Sequence, residues 1–511
     1  SVDRNANFFE LGGDSLIAIS VAMTAANEGL ELTPQDLYEN QTVAMLAKAL
    51  AARYAAGGLA RQSPNDIVHP PVPSNIAYFL EHGLREAGRW RIPLILRLRA
   101  DVPVDEIRAV LSALTNHHDA LRLSIVQRAG MWEQHIGEPQ EFADLATRSL
   151  PDGIPPGSAQ EREAVLNILN EQTRAQDLSD SPLTATYIRG AADGPCYLAI
   201  SVHAVAGDNA SRDILVTDIF TAFGQRLAGQ EIVLQPVTTS WREWSGRCAA
   251  LAAHPAVVER RDFWLETAAK ATLRIARQVS EPPGVDDLAR LSSPLTVVQT
   301  TELDDARRRL RLPIEEFLLG ALGRTIAATV GDGSVAVDLG GPGRSVLKPD
   351  VDLRRTVGWF TTVYPVALAC VKEVSARQQL DDVHDMLKAV PHYGIGYGLL
   401  RYMYAPTARL LSATSPADIF FSYVGTIPDL PSVPAGDAPV QFDSDTAMPV
   451  REAIPGLGHA VELRVYRSAG VLHLDWWYDS RRLDRARAES LADSFSTTLI
   501  ELTRAAVAAN D

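Results

Sequence analysis

The stretch RYAAGGLARQSPNDIVHPPVPS, residues 53–74, divides the chain. Its glycines, prolines and short polar residues carry neither the 3.6-residue nor the two-residue apolar period of packed elements, so it reads as a linker. At 511 residues the chain is too long for one ordinary core. It splits into a piece of fewer than about sixty residues and a much longer remainder. The 46% apolar and 22% charged residues suit a globular protein. A net charge of −15 argues against a nucleic-acid or anionic-membrane partner, since both need clustered Lys and Arg. No apolar run approaches a membrane span. Cys196, Cys248 and Cys370 are too scattered for a metal site or a disulfide framework, which leads us to expect a reduced, cytoplasmic setting and no metal. The chain opens inside what reads as a loop, so it is expected to be a piece of something larger.

Before the linker, NFFELGGDSLIAISVAM sets Gly12 and Gly13 for a tight turn, then Leu16, Ile19 and Met23 at helical spacing. Ser15 thus falls at a helix N-terminus, where free N–H groups and the helix dipole favour a phosphodiester. LTPQDLYEN predicts a short helix after Thr33–Pro34, and Thr42 caps a last helix through Leu46 and Leu50. The whole phrase, with its two capped helices, resembles a peptidyl carrier protein of non-ribosomal peptide synthetases. The resemblance implies that Ser15 carries 4′-phosphopantetheine, attached by a phosphopantetheinyl transferase, with a thiol holding an aminoacyl or peptidyl thioester. The family has a helix before this phrase, and the sequence starts at Ser1 after the place for it, so the carrier is expected to be incomplete unless that helix is supplied elsewhere.

From about residue 70, helical and strand patterns alternate. VDEIRAVLSALTNHHDALRLSIVQ reads as helix, break and strand; CYLAISVHAVAGD as an apolar strand running into a loop; ASRDILVTDIFTAFGQRL and IEEFLLGALGRTIAATV as helices. Leu472, Leu474 and Trp476 alternate along a strand, and Leu491, Phe495, Leu499 and Leu502 stripe a terminal helix. Cys370, after VYPVALAC, is expected in the core. DLRRTVGWFTTVYPV, AVPHYGIGYGLLRY and IFFSYVGTIPDL, with NHHDALRLS, DLSDSPLTA and TSWREWS, resemble the epimerization domain of the condensation superfamily over roughly residues 70–505. The implied fold is mixed α/β: a truncated all-α carrier bundle, then two chloramphenicol-acetyltransferase-like lobes in a V around a central tunnel. The boundaries are 1–56 for the carrier, 57–70 for the linker and 71–511 for the epimerization/condensation-like domain, with lobes of about 71–240 and 241–511. Partner domains would be an upstream adenylation and a downstream condensation domain.

Epimerization moves the α-proton of a carrier-bound thioester from one face to the other, which requires a base, an opposed acid and a group to stabilise the enolate oxygen. In the family a double-histidine motif and a later glutamate supply the first two. Laid on that pattern, SVHAVAGDNAS makes His203 the first histidine, Ala204 the replacement of the second and Asp208 the terminal aspartate. DLGGPGRS places Gly340 where the glutamate belongs and Pro342 where a histidine belongs. Neither alanine nor glycine can transfer a proton. Ser74 and Ile76 also replace the family's proline and glutamine.

His203 and Asp208 are expected to be architectural first, Asp208 pairing with Arg344. His117, His118 and Asp119 have the wrong spacing for the motif. His392 and Tyr393 could face substrate, and Tyr423, on the aromatic strand, is the better candidate for a polar group near the thioester. Ala204 alone could be a substitution made to trap a complex; loss of the group at 340 as well favours natural decay or a changed function. Three readings follow: active L-to-D epimerization, a vestigial station that only docks the carrier, or a tunnel repurposed for another reaction on the bound chain.

Overall fold

The computed structural model describes residues 3–8, 11, 21, 25, 30, 32, 34–55, 71–174, 176–190, 194–341, 343–344, 351–426, 439–442 and 455–509. The GGDS phrase with Ser15 lies outside them, as do Thr33, Pro342 and the 57–70 linker. In the carrier, Thr42 Oγ1 accepts from the Met45 N–H at 3.2 Å and starts the helix Val43–Ala55, as its sequence predicts. The helix Pro34–Glu39 precedes it. Leu32 and Leu37 form a small core against Phe8, Val21, Leu46 and Leu50.

In the long remainder the strands run, in chain order, β1 (Arg91–Leu98), β2 (Leu123–Arg128), β3 (Met131–Ile136), β4 (Leu145–Ser149), β5 (Leu183–Arg189), β6 (Cys196–His203), β7 (Leu288–Ser292), β8 (Gly333–Gly341), β9 (Thr362–Cys370), β10 (Ile419–Thr426), β11 (Val440–Phe442), β12 (Val461–Ser468) and β13 (Val471–Asp479). They form two main sheets, ordered β11-β1-β6-β5-β4 and β7-β13-β12-β10-β8-β9, plus the β2–β3 hairpin.

The first sheet is covered on both faces, which explains why CYLAISVH is apolar almost without interruption and buried throughout. Ile95, Ile188, Tyr197 and Ala199 pack against Val165 and Leu169 of the helix Ala159–Arg174. Leu94, Leu96, Leu198 and Ile200 join the main core on the other side, with Ile107 and Leu111 of the helix Val104–His117 and Ile214 of the helix Asn209–Leu227. Cys370 ends β9 fully buried.

The second sheet has two different faces. Alternation along β8 and its parallel register with β10 put Val337, Leu339 and Phe421 on one side, where they are at most 5% exposed. The helices Ile314–Thr329 and Arg485–Ala508 pack together on this lobe. Asp338, Gly340, Phe420 and Glu462 fall on the other face, where the helix Ser74–His82 reaches them through Tyr78.

The lobes are not contiguous in sequence. β11 comes from beyond residue 240, yet it pairs antiparallel with β1 of the first sheet, Leu96 facing Phe442 and Leu98 facing Val440. Aromatic rings join the lobes as well: Phe79 packs on Trp90 at 4.8 Å between centroids, and Trp90 meets Trp359 edge-on at 4.9 Å.

Candidate active site between the lobes

His203 ends β6 and is 2% exposed. Its Nδ1 accepts from the Val205 N–H at 3.1 Å, so Nε2 carries the proton and donates to the Ala87 carbonyl at 2.8 Å. Burial, helped by the nearby Arg91 charge, lowers its pKa to about 3. Both ring nitrogens are therefore committed to the backbone, which is the architectural role expected for it.

Ala204 begins the 3-10 turn that follows, 6% exposed, with its N–H donating to the Trp90 carbonyl at 2.8 Å. A methyl group is all that the second position of the motif presents. Asp208 caps the helix Asn209–Leu227 by accepting from the Ser211 N–H at 2.8 Å. Arg344 reaches it across the lobes, Nη2 to Oδ1 at 2.7 Å and Nε to Oδ2 at 3.2 Å, so the expected pair is present. The same guanidinium donates to the carbonyls of Leu353 and Thr356 at 2.6 and 2.9 Å and lies over the Phe360 ring at 4.4 Å. Ser211 Oγ accepts from Gly358 N–H at 3.0 Å, tying down the TVGWF phrase. These residues hold the lobes in register, and His203, Asp208 and Arg344 are each engaged in hydrogen bonds of that frame.

Gly340 is an exposed position near the end of β8, opposite Val363. A Cβ built there would sit 3.1 Å from Phe420 Cζ, a tight approach to which the ring must yield by a few tenths of an ångström.

Strand alternation places Tyr423 on the opposite face of β10 from Phe420, and its half-buried ring packs on the main core. The structure therefore does not bring Tyr423 to the face that carries Gly340. His392 and Tyr393 occupy left-handed backbone (φ 50° and 52°) before Gly394 at φ 82°, where a Cβ would stand 1.9 Å from the Tyr364 ring. That turn presents Tyr393 to solvent. His118 binds Asp218 at 2.8 Å, Asp218 also meets Arg355, and Asp119 caps the helix Trp241–Ala252 through the Trp241 and Arg242 N–H groups at 3.0 and 2.9 Å. His118 is thus a buried structural partner of Asp218, half-buried His117 reaches the Gln235 carbonyl at 2.7 Å, and Ile76, fully buried, is core.

Sequence reasoning missed a polar cluster on the Gly340 face. Tyr78 Oη donates to Asp338 Oδ2 at 3.0 Å, and His459 Nε2 lies 2.9 Å from the same oxygen and 3.0 Å from the hydroxyl. Phe420, which meets the Gly340 Cβ position, also packs on the His459 ring at 5.3 Å. Period-two spacing of Asp338 and Gly340 was the available signal.

Comparison with known proteins fits this geometry. The Condensation domain family matches residues 76–507, and the Phosphopantetheine attachment site family matches residues 1–50. The chain belongs to the condensation domain family, with a phosphopantetheine attachment domain ahead of it. It is 60% identical over 514 residues to a component of the phenolphthiocerol/phthiocerol polyketide synthase of Mycobacterium tuberculosis (strain ATCC 25618 / H37Rv), a match covering 100% of this chain and 34% of that protein. A component of the linear gramicidin synthase of Brevibacillus parabrevis is 30% identical over 431 residues, covering 82% of this chain and 8% of that one. The chain thus spans about a third of the length of the first of these relatives. Among solved structures, the epimerization domain from the third module of tyrocidine synthetase B superposes with a TM-score of 0.72 at 22% identity, covering 88% of this chain and 100% of that one. The X-domain from teicoplanin biosynthesis gives 0.68 at 16%, covering 87% and 97%. These structural likenesses establish the mixed α/β condensation fold with its chloramphenicol-acetyltransferase-like lobes. No helix among the described residues is long and apolar enough to cross a membrane.

Proposed function

We propose that this chain is a carrier and a condensation-type station of an assembly-line synthase, and that the station receives the carrier-bound thioester without exchanging its α-proton. The observation that carries the reading is the pair of vacant positions. Ala204 offers a methyl group where a base belongs, and Gly340 offers nothing where the acid belongs, with Phe420 across its Cβ direction. His203 does not substitute, because both its nitrogens are hydrogen-bonded to backbone and its proton affinity is low. Asp208 and Arg344 neutralise each other and act on geometry.

Ser15 is the proposed attachment point of 4′-phosphopantetheine, which supplies a thiol to hold the acyl chain. The 60% identity to a polyketide synthase component favours a polyketide acyl thioester over the aminoacyl or peptidyl cargo expected from sequence. The polyketide reading needs no adenylation domain upstream, because such a chain is not activated as an amino acid. A phosphopantetheinyl transferase and a cytoplasmic setting belong to the same reading.

The test is direct. Ser15 is loaded with an acyl-pantetheine bearing an α-stereocentre, the protein is incubated in deuterated water, and the released acid is analysed for mass, configuration and α-deuterium. Unchanged configuration without deuterium is expected. Deuterium uptake with inversion would restore epimerization, and a new mass would indicate another reaction on the bound chain.

A further inference from the structure

A small pocket opens beside the loop 414–417, on the side of β8 that carries Gly340, and its walls include Tyr78, His82, Asp338, Tyr397 and Arg401. We infer that it binds a compact ammonium group, with Asp338 as the counter-charge and the tyrosine rings as walls.

Asp338 is 5% exposed and built in from two sides. Tyr78 Oη and His459 Nε2 both hold Oδ2, whereas no hydrogen bond from a described residue reaches Oδ1. Burial and the Asp338 charge keep Tyr78 protonated and hence a donor. Both contacts fall on Oδ2, so Oδ1 is left as an acceptor fixed in direction. A ligand there must therefore bring a donor.

The pocket's charge selects which donor. Arg401 is its one strong cation among the residues named, and it is consumed by Glu81, Nη2 to both carboxylate oxygens at 2.9 and 3.0 Å, by the Leu411 carbonyl at 2.6 Å and by Tyr402 Oη at 2.9 Å. Burial opposes the charge on Glu81, but the hydrogen bond and charge of His82, together with the Arg401 charge, hold its pKa down to about 2. Arg401 is thus spent on Glu81, and Asp338 Oδ1 is the acceptor left facing the free space. A cation gains an ion pair with Asp338 that an anion or a neutral donor of the same size does not. Free space of about 30 Å³ holds two or three heavy atoms, by comparison with the roughly 10–15 Å³ that one water needs. Methylammonium fits this description, and so does the terminal amine of a longer ligand.

Binding is read by isothermal titration of the whole chain with methylammonium chloride, with sodium formate and methanol as equal-sized anionic and neutral controls. Saturable binding of methylammonium alone is expected, at least tenfold weaker in Asp338→Asn. A second variant, Ser415→Trp, bulks the exposed mouth without touching the buried cluster and is expected to weaken binding similarly. Equal binding of formate or methanol, no saturation with methylammonium, or full affinity in a folded Asp338→Asn protein overturns the assignment. Should Asp338→Asn fail to fold, the three-ligand contrast on the unaltered protein decides the matter. This readout does not involve the α-proton, so it stands or falls apart from the proposed function.

Discussion

Arg344→Ala is expected to be the most damaging single substitution in the inter-lobe site, lowering the free energy of unfolding by about 3–5 kcal/mol. Arg344 is 4% and Asp208 13% exposed at the side chain, so truncation strands a largely buried carboxylate. It also orphans the Leu353 and Thr356 carbonyls, which the guanidinium satisfies at once. Urea unfolding of the two single variants and the double variant provides the check. Arg344→Ala and Asp208→Ala should each be strongly destabilised, and the double variant by clearly less than their sum, because the second change removes the stranded partner. Additive losses would mean the pair does not act as a unit. Arg344→Lys should rescue little, since a lysine cannot reproduce the bidentate fork and the two carbonyl bonds together.

Stability is expected to fall steeply as the pH drops below about 6.5, and His203 is a principal reason. Its unfolded imidazole takes a proton near its ordinary value of 6.5, whereas the buried ring resists until about 3. Within that window the unfolded chain binds more protons, so stability rises with pH and levels off above about 6.5. One such group contributes a slope of about 1.4 kcal/mol per pH unit. His118, whose pKa burial also lowers, adds in the same direction. Chemical unfolding of the wild type and of His203→Gln at pH 7 and pH 5 tests this. Glutamine keeps one donor and one acceptor without titrating, so the variant should lose less stability on acidification. Parallel losses in both proteins would remove His203 as the cause.

What could be read from the residues alone was mostly local. The apolar run 196–203, the helix that Asp208 caps and the Thr42 cap depend on neighbours within a few positions, and periodicity reveals them. The Asp208–Arg344 pair was also within reach, because each residue sits in a phrase shared with relatives. Tyr423 was not, since the face of β10 it occupies depends on a register with β8 and β12 that no spacing within IFFSYV discloses. The Tyr78–Asp338–His459 cluster draws on three segments, with 260 residues separating the first two and 381 the first and last. Trp90 and Trp359 come together only when the lobes do. Contacts of that kind are products of the tertiary fold, and they are where the site differs from a plain loss of two side chains.

The three residues of β11 have a practical implication for anyone wishing to separate the lobes. Leu96 to Leu98 of β1 find their outer partners in a segment that arrives some 340 positions later. A polypeptide ending near residue 240 would lack that cover and present a bare strand edge, lined by neighbours that evolved to be paired. Such edges recruit whatever backbone is available, most often another copy. The first lobe made alone should therefore self-associate, and a short peptide spanning 439–442 supplied in trans is the natural reagent to keep it monodisperse.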